Sequence, residues 1–241
     1  MTSEEDIAAL DQQVYQAPVL FEWEYIGGES KDWIRLLTAI VSPGIGTGLL
    51  LLLFVLDDSD SIGVYAFLTT MMLMGFLMTR YLFLPDSHYH YKLTKLGIHY
   101  TKEDLIPEIA YTLVRGFAWV GIAVCLIALF VIGPLAFVGA GAFALMAFGM
   151  TNFKSKIDQH RILFADANIL FNLKNDVLLD IIPKKKMKLA FSGTIYATSL
   201  EKKESIIAEL IQQLGEVEVV DIKRLNEQYK HPVYTSAQSE Q

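Results

Sequence analysis

The stretch HYHYKLTKLGIHYTKE, residues 88–103, governs how the chain is read. Tyr89, Tyr91 and Leu93 alternate with His88, His90, Lys92 and Thr94, and the apolar side resumes at Ile98 and Tyr100 after Gly97. Successive side chains of an extended chain point to opposite faces, so the pattern predicts two strands around a tight turn, each with one apolar side. A lone hairpin is marginal in water. It needs a sheet to join, yet long apolar runs flank it.

Those runs are Trp33 to Leu56, interrupted by Arg35; Ile62 to Leu84, interrupted by Arg80; and Tyr111 to Met150, interrupted by Arg115. Hydrophobic residues make up 53% of the chain and mean hydropathy is +0.36, above the apolar content of about 45–50% usual for soluble domains. About 20 apolar residues cross the roughly 30 Å hydrocarbon layer as a helix. The first two runs predict one span each, and the third predicts two, divided at Gly133-Pro134. The fold class expected is a membrane α+β protein: four transmembrane helices in two hairpins, with a composite cytoplasmic β-rich domain closed by one amphipathic helix.

Segment 1–32 carries Glu4, Glu5, Asp6, Asp11, Glu22, Glu24, Glu29 and Asp32 against Lys31 alone. A cleaved signal peptide starts with positive charge, so the first span is expected to be an uncleaved anchor. Cys125, the lone cysteine, lies inside a span and leaves no intrachain disulfide. The net charge of −7 gives no reason to expect nucleic acid as a partner.

The loop DDSDS (57–61) and the Gly133-Pro134 turn contain no Lys or Arg, whereas the middle loop carries Lys92, Lys95 and Lys102, and Lys154, Lys156 and Arg161 follow the last span. By the positive-inside rule both termini and the middle loop are cytoplasmic, which predicts an integral protein of a bacterial inner membrane. Arg80 and Arg115 then snorkel at the cytoplasmic ends of their helices.

After residue 160 the sequence changes character. RILFA (161–165), NILFNL (168–173) and VLLDII (177–182) are short runs with KND (174–176) as a turn, and MKLAFS and TIYATS follow around Gly193. Ile206, Ile207, Leu210, Ile211 and Leu214 then lie at helical spacing, with Ser199 as N-cap and Gly215 as stop. EVEVVDI (216–222) reads as one more strand. These strands alone leave little area for an independent core, so the middle-loop hairpin is expected to join them, with the second membrane hairpin inserted between the two parts. The resulting boundaries are an acidic N-terminal segment 1–32, hairpin 33–84, β-hairpin loop 85–110, hairpin 111–152, an α+β domain 153–225 and a flexible tail 226–241.

VLFEWEYIGGESKDW (19–33) and YKLTKLGIHYTKE (91–103), the latter after a two-helix hairpin, resemble bacterial membrane proteins with a pleckstrin-homology-like cytoplasmic domain. The residues that carry the likeness are Glu22 to Tyr25 and Tyr91, Leu93, Thr94 and Ile98. The resemblance implies an adaptor or envelope-stress role without catalysis, and transfers no catalytic residue.

Several candidate sites can be named from residues alone. His88 and His90 on one strand face, with His99 nearby, have the donor type for zinc, copper or nickel, but a solvated face is the favoured reading and no metal is expected. Lys184, Lys185, Lys186 and Lys188 form the strongest basic cluster and could meet anionic lipid or a partner. In the first span Pro43, Gly44, Gly46 and Gly48 predict a kink and close helix packing, as do Ala136, Ala140 and Ala144 in the last. Ser3 with Asp6 resembles a capping box for a short helix whose Ile7, Leu10 and Val14 share one side and could dock on its own sheet or on a neighbour. No phosphate loop, nucleophile elbow or paired-carboxylate site is present, so neither catalysis nor a cofactor is expected. The function expected is an inner-membrane adaptor or regulator that binds a protein partner, membrane lipid or further copies of itself. The alternative is an oligomeric channel or small transporter using the kinked first span.

Overall fold

The computed structural model describes residues 4–56, 62–133, 145, 147–185, 189–214 and 216–235. In chain order the elements are α1 (Glu4–Gln16), β1 (Phe21–Gly27), α2 (Asp32–Leu56), α3 (Ile62–Met78), β2 (Ser87–Leu93), β3 (Gly97–Asp104) and α4 (Glu108–Ile132). They continue with β4 (Ile157–Leu163), β5 (Ala167–Leu173), β6 (Leu178–Pro183), β7 (Gly193–Tyr196), α5 (Leu200–Gln213), β8 (Glu216–Ile222) and α6 (Pro232–Thr235). The chain divides into a sheet unit of Met1–Ile26, His88–Glu103 and Ile157–Gln241, and a helical unit of Gly27–Ser87 and Asp104–Lys156.

The sheet unit holds two four-stranded sheets, ordered β1-β2-β3-β4 and β7-β6-β5-β8. β3 pairs antiparallel with β4, setting Ile98 opposite Ile162 and Tyr100 opposite His160. Gly97 stands at the start of that ladder because a Cβ there would collide with the Ile162 carbonyl. Alternation turns Trp23, Tyr89, Tyr91, Ile98 and Ile162 into one core with Leu170, Leu179, Ile181 and Ile195 of the second sheet. Burying each such aliphatic side chain contributes roughly 1.5–3 kcal/mol. Trp23 stacks on Tyr91 at 5.0 Å and its indole N–H donates to the Tyr196 carbonyl at 2.9 Å.

α5 closes this core with Ile206, Leu210 and Leu214. Ser199 caps it, its hydroxyl accepting from the Lys202 amide at 3.1 Å. Lys203, buried in the first turn of the helix, donates to the carbonyls of Leu173 (2.8 Å) and Asp176 (2.6 Å) and so ties the β5–β6 turn to the helix. α5 leads into β8, which runs parallel to β5.

Two local expectations fail in this unit. The strand expected over MKLAFS is instead, within the described residues, a 3-10 turn at Leu189–Phe191, and Phe191 turns in against Val14 and Leu163. Residues 226–235, expected to be loose, lie in a 3-10 helix, Leu225–Lys230, and α6. Val233 and Tyr234 give that segment apolar side chains to set against Ile169, Phe171, Leu173, Ile182 and Ile222. The Gly215 stop lies outside the described residues.

In the helical unit, α2 runs unbroken through Pro43. A Cβ at Gly44, Gly46 or Gly48 would meet nothing within 4 Å, whereas one at Gly75 of α3 would sit 2.6 Å from the Pro43 Cβ. Within the chain the close approach therefore belongs to Gly75 rather than to Gly44, Gly46 or Gly48. Ala136, Ala140, Ala144, the 57–61 loop and most of the expected fourth span lie outside the described residues. Among the described residues three helical stretches, Asp32–Leu50, Ile62–Phe83 and Glu108–Ile127, are long and apolar enough to cross a membrane.

Arg35 is 2% exposed and fully engaged. Its guanidinium donates to Asp86 Oδ1 (2.6 Å), Asp32 Oδ1 (3.2 Å) and the Leu84 carbonyl (2.8 Å). A buried charge is tolerable only when partnered in this way. Arg80 pairs with the second oxygen of Asp86 at 3.2 Å. Hydrogen bonds from the two arginines hold the Asp86 carboxyl below the usual range. Gly28 completes the nest, since a Cβ there would collide with the Arg35 guanidinium.

Candidate partner-binding faces of the sheet unit

The outward-facing residues of β1 and β2 form the most distinctive polar cluster of the unit. In β1, Glu22 and Glu24 alternate with Phe21, Trp23 and Tyr25, and in β2 His88 and His90 alternate with Tyr89 and Tyr91. Pairing of these strands brings the two polar rows together. Glu24 meets His88 Nε2 at 3.2 Å and His90 Nδ1 at 3.0 Å, and Glu22 lies 3.6 Å from His90 Nε2. The imidazoles hold the Glu24 carboxyl below its ordinary range. All four side chains stay accessible, from 33% for His88 to 62% for Glu22.

His99 does not join them. Its ring packs 5.0 Å from Tyr15 of α1, and burial, with Lys92 and His90 nearby, pushes its pKa down. The trio His88, His90 and His99 is therefore not assembled, and among the described residues no group of three or more His, Cys, Asp or Glu is placed to hold a metal ion.

The other candidate residues are largely taken by the chain itself. Ile7, Leu10 and Val14 pack with Leu163 and Phe191, and Val14 is fully buried. Asp11 pairs with Arg161 on the same contact. The apolar side of α1 is thus spent on its own sheet and is not a free partner-binding surface. Lys184 bonds Glu216 at 3.0 Å with Glu218 at 3.8 Å, and Glu216 draws its pKa upward. Lys185 is exposed, while Lys186 and Lys188 lie outside the described residues.

Sequence reasoning picked out the histidines but missed Glu22 and Glu24, their partners. The available signal was the strict alternation of Phe21–Gly27, which lies within the acidic segment 1–32.

With this geometry established, comparison with known proteins identifies the lineage. The TsiV2 immunity protein family matches residues 1–241. The chain belongs to that family. It is 37% identical over 238 residues to the immunity protein TsiV2 of Vibrio cholerae serotype O1 (strain ATCC 39315 / El Tor Inaba N16961), covering 98% of each chain. No solved structure matches. A match to this family along the full chain overturns the pleckstrin-homology-like resemblance, which rested on short strand-turn patches. The adaptor and channel readings fall with it.

Proposed function

We propose that this protein is an immunity protein: it protects the cell that carries it by binding a toxin protein, and does so without chemistry of its own. The observation that supports this reading is the family match along all 241 residues. A protein partner agrees with a surface that presents hydrogen-bonding groups in fixed register. The exposed β1–β2 face, with Glu22, Glu24, His88 and His90, is the proposed contact surface.

The three apolar helical stretches support a place in the inner membrane, their exposed side chains meeting lipid. Lysines in the middle loop and after residue 153 support a cytoplasmic sheet unit.

The test is a mixed culture of the parent strain with a strain lacking this chain. The deletion strain should lose viability beside its parent and recover when the chain is restored. Restoration with Glu22→Lys and Glu24→Lys together should fail while the protein accumulates normally. Equal survival of the deletion strain would remove the immunity reading, and full rescue by the double variant would remove the β1–β2 face from it.

A further inference from the structure

The outer face of the second sheet, formed by β5, β6 and β8, is covered by the chain's own C-terminal segment. Val233 and Tyr234 pack over Ile169, Phe171, Leu173, Ile182 and Ile222, and Gln228 is buried at 5% exposure. The segment is anchored by His231, whose ring meets the Phe171 edge at 5.5 Å and whose Nε2 lies 3.4 Å from Glu218, a carboxylate shared with Lys184. Along β6, Leu179 and Ile181 point into the main core while Leu178 and Ile182 point outward, so Asp180 belongs to the covered face.

Asp180 is an awkward residue to cover. Its carboxylate accepts one hydrogen bond, from Thr194 Oγ1 at 3.1 Å. Phe171 stands opposite it on β5, Tyr234 of the covering segment packs on the same face, and Tyr229 lies beside Tyr234. Among the described residues no basic side chain pairs with it. An ionised carboxylate in such surroundings has lost water without gaining a cation.

We propose that residues 225–235 form a pH-sensitive strap over this face, closed when Asp180 is protonated and loosened when Asp180 ionises. Burial pushes the Asp180 pKa up to about 6. Lifting the strap returns the carboxyl to water and to an ordinary acidity. Because the closed form then binds more protons, its advantage is full in acid and is lost as pH rises through about 6. Between about pH 5 and about pH 7.5 the opening equilibrium should rise by up to about tenfold.

Hydrogen exchange of the full chain in mild detergent, read on peptides covering 225–235 and corrected for intrinsic exchange, measures this directly. The wild type should be several-fold better protected near pH 5 than near pH 7.5. Asp180→Asn, nearly isosteric and always neutral, should be well protected at both. Thr194→Val, which removes the one bond favouring the ionised form, should move the midpoint to higher pH, and decides the matter should Asp180→Asn not fold. Equal wild-type protection at the two pH values, a pH response that survives in Asp180→Asn, or an unmoved midpoint in Thr194→Val overturns the strap.

Discussion

The two faces of the first sheet are built from the same strands and could hardly differ more. On the inner face Trp23, Tyr89, Tyr91 and Ile98 are buried and stacked against the second sheet. On the outer face Glu22, Glu24, His88 and His90 are held in register yet open to solvent. The period of two assigns packing to one set of alternate residues and leaves the other set on the solvent side. The outer face is itself divided: α1 covers Leu163 and His99 on the β3–β4 half, and the β1–β2 half is left exposed.

Trp23→Ala should produce the largest effect. It removes a stacked indole together with the hydrogen bond that it donates to the Tyr196 carbonyl, so a loss of about 3–5 kcal/mol is expected in urea unfolding of the full chain followed by intrinsic fluorescence. A loss of under about 1 kcal/mol would mean that the inner face is not the core of the unit.

Val14→Ala tests the covered half of the outer face. Val14 has no exposed surface and packs on Leu163 and Phe191, so removing two carbon groups should cost about 2 kcal/mol. Protection by the β1–β2 face should survive, since α1 lies on the other half. If Val14→Ala abolished protection while leaving stability intact, α1 rather than β1–β2 would be the recognition element.

What the sequence made legible follows from range. Tyr89, Tyr91 and Ile98 declare their strands by local alternation, and α5 declares itself by the Ile206–Leu210–Leu214 spacing and the Ser199 cap, because both signals lie within a few residues. Arg35 and Asp86 are 51 positions apart, and nothing local in either marks the pair. The Lys203 contact is similar, since a lysine amid a helical pattern reads as solvated until its carbonyl partners are known. Glu22 and Glu24 show a third limit: their alternation is present, but beside six further acidic residues in segment 1–32 it does not separate a strand face from a solvated charged segment. The family was illegible for another reason. Tyr91, Leu93, Thr94 and Ile98 satisfy what any strand-turn-strand demands, so their likeness to another family measured a hairpin rather than descent. Recognition residues on an open face carry no packing signature, and the lineage emerged only from the whole chain.

The smallest stability effect is expected on the open half, from Glu24→Gln. Glu24 is exposed, and hydrogen bonds with His88 and His90 hold its carboxyl below the ordinary range. A depressed carboxylate stabilises the fold above its unfolded pKa, and that contribution is lost as pH falls through the folded value, below 4.5. Glu24→Gln should therefore leave the urea midpoint at neutral pH close to that of the wild type, with screening by solvent keeping the difference small. The variant should also lose part of the wild-type decline between about pH 5 and about pH 3. Its effect on protection should be much larger than its effect on stability, because it changes a carboxylate that orients two imidazoles on the proposed contact face. A variant as protective as the wild type but clearly less stable at neutral pH would invert the comparison, making the Glu–His cluster part of the scaffold and sending the search for the toxin contact elsewhere on the sheet unit.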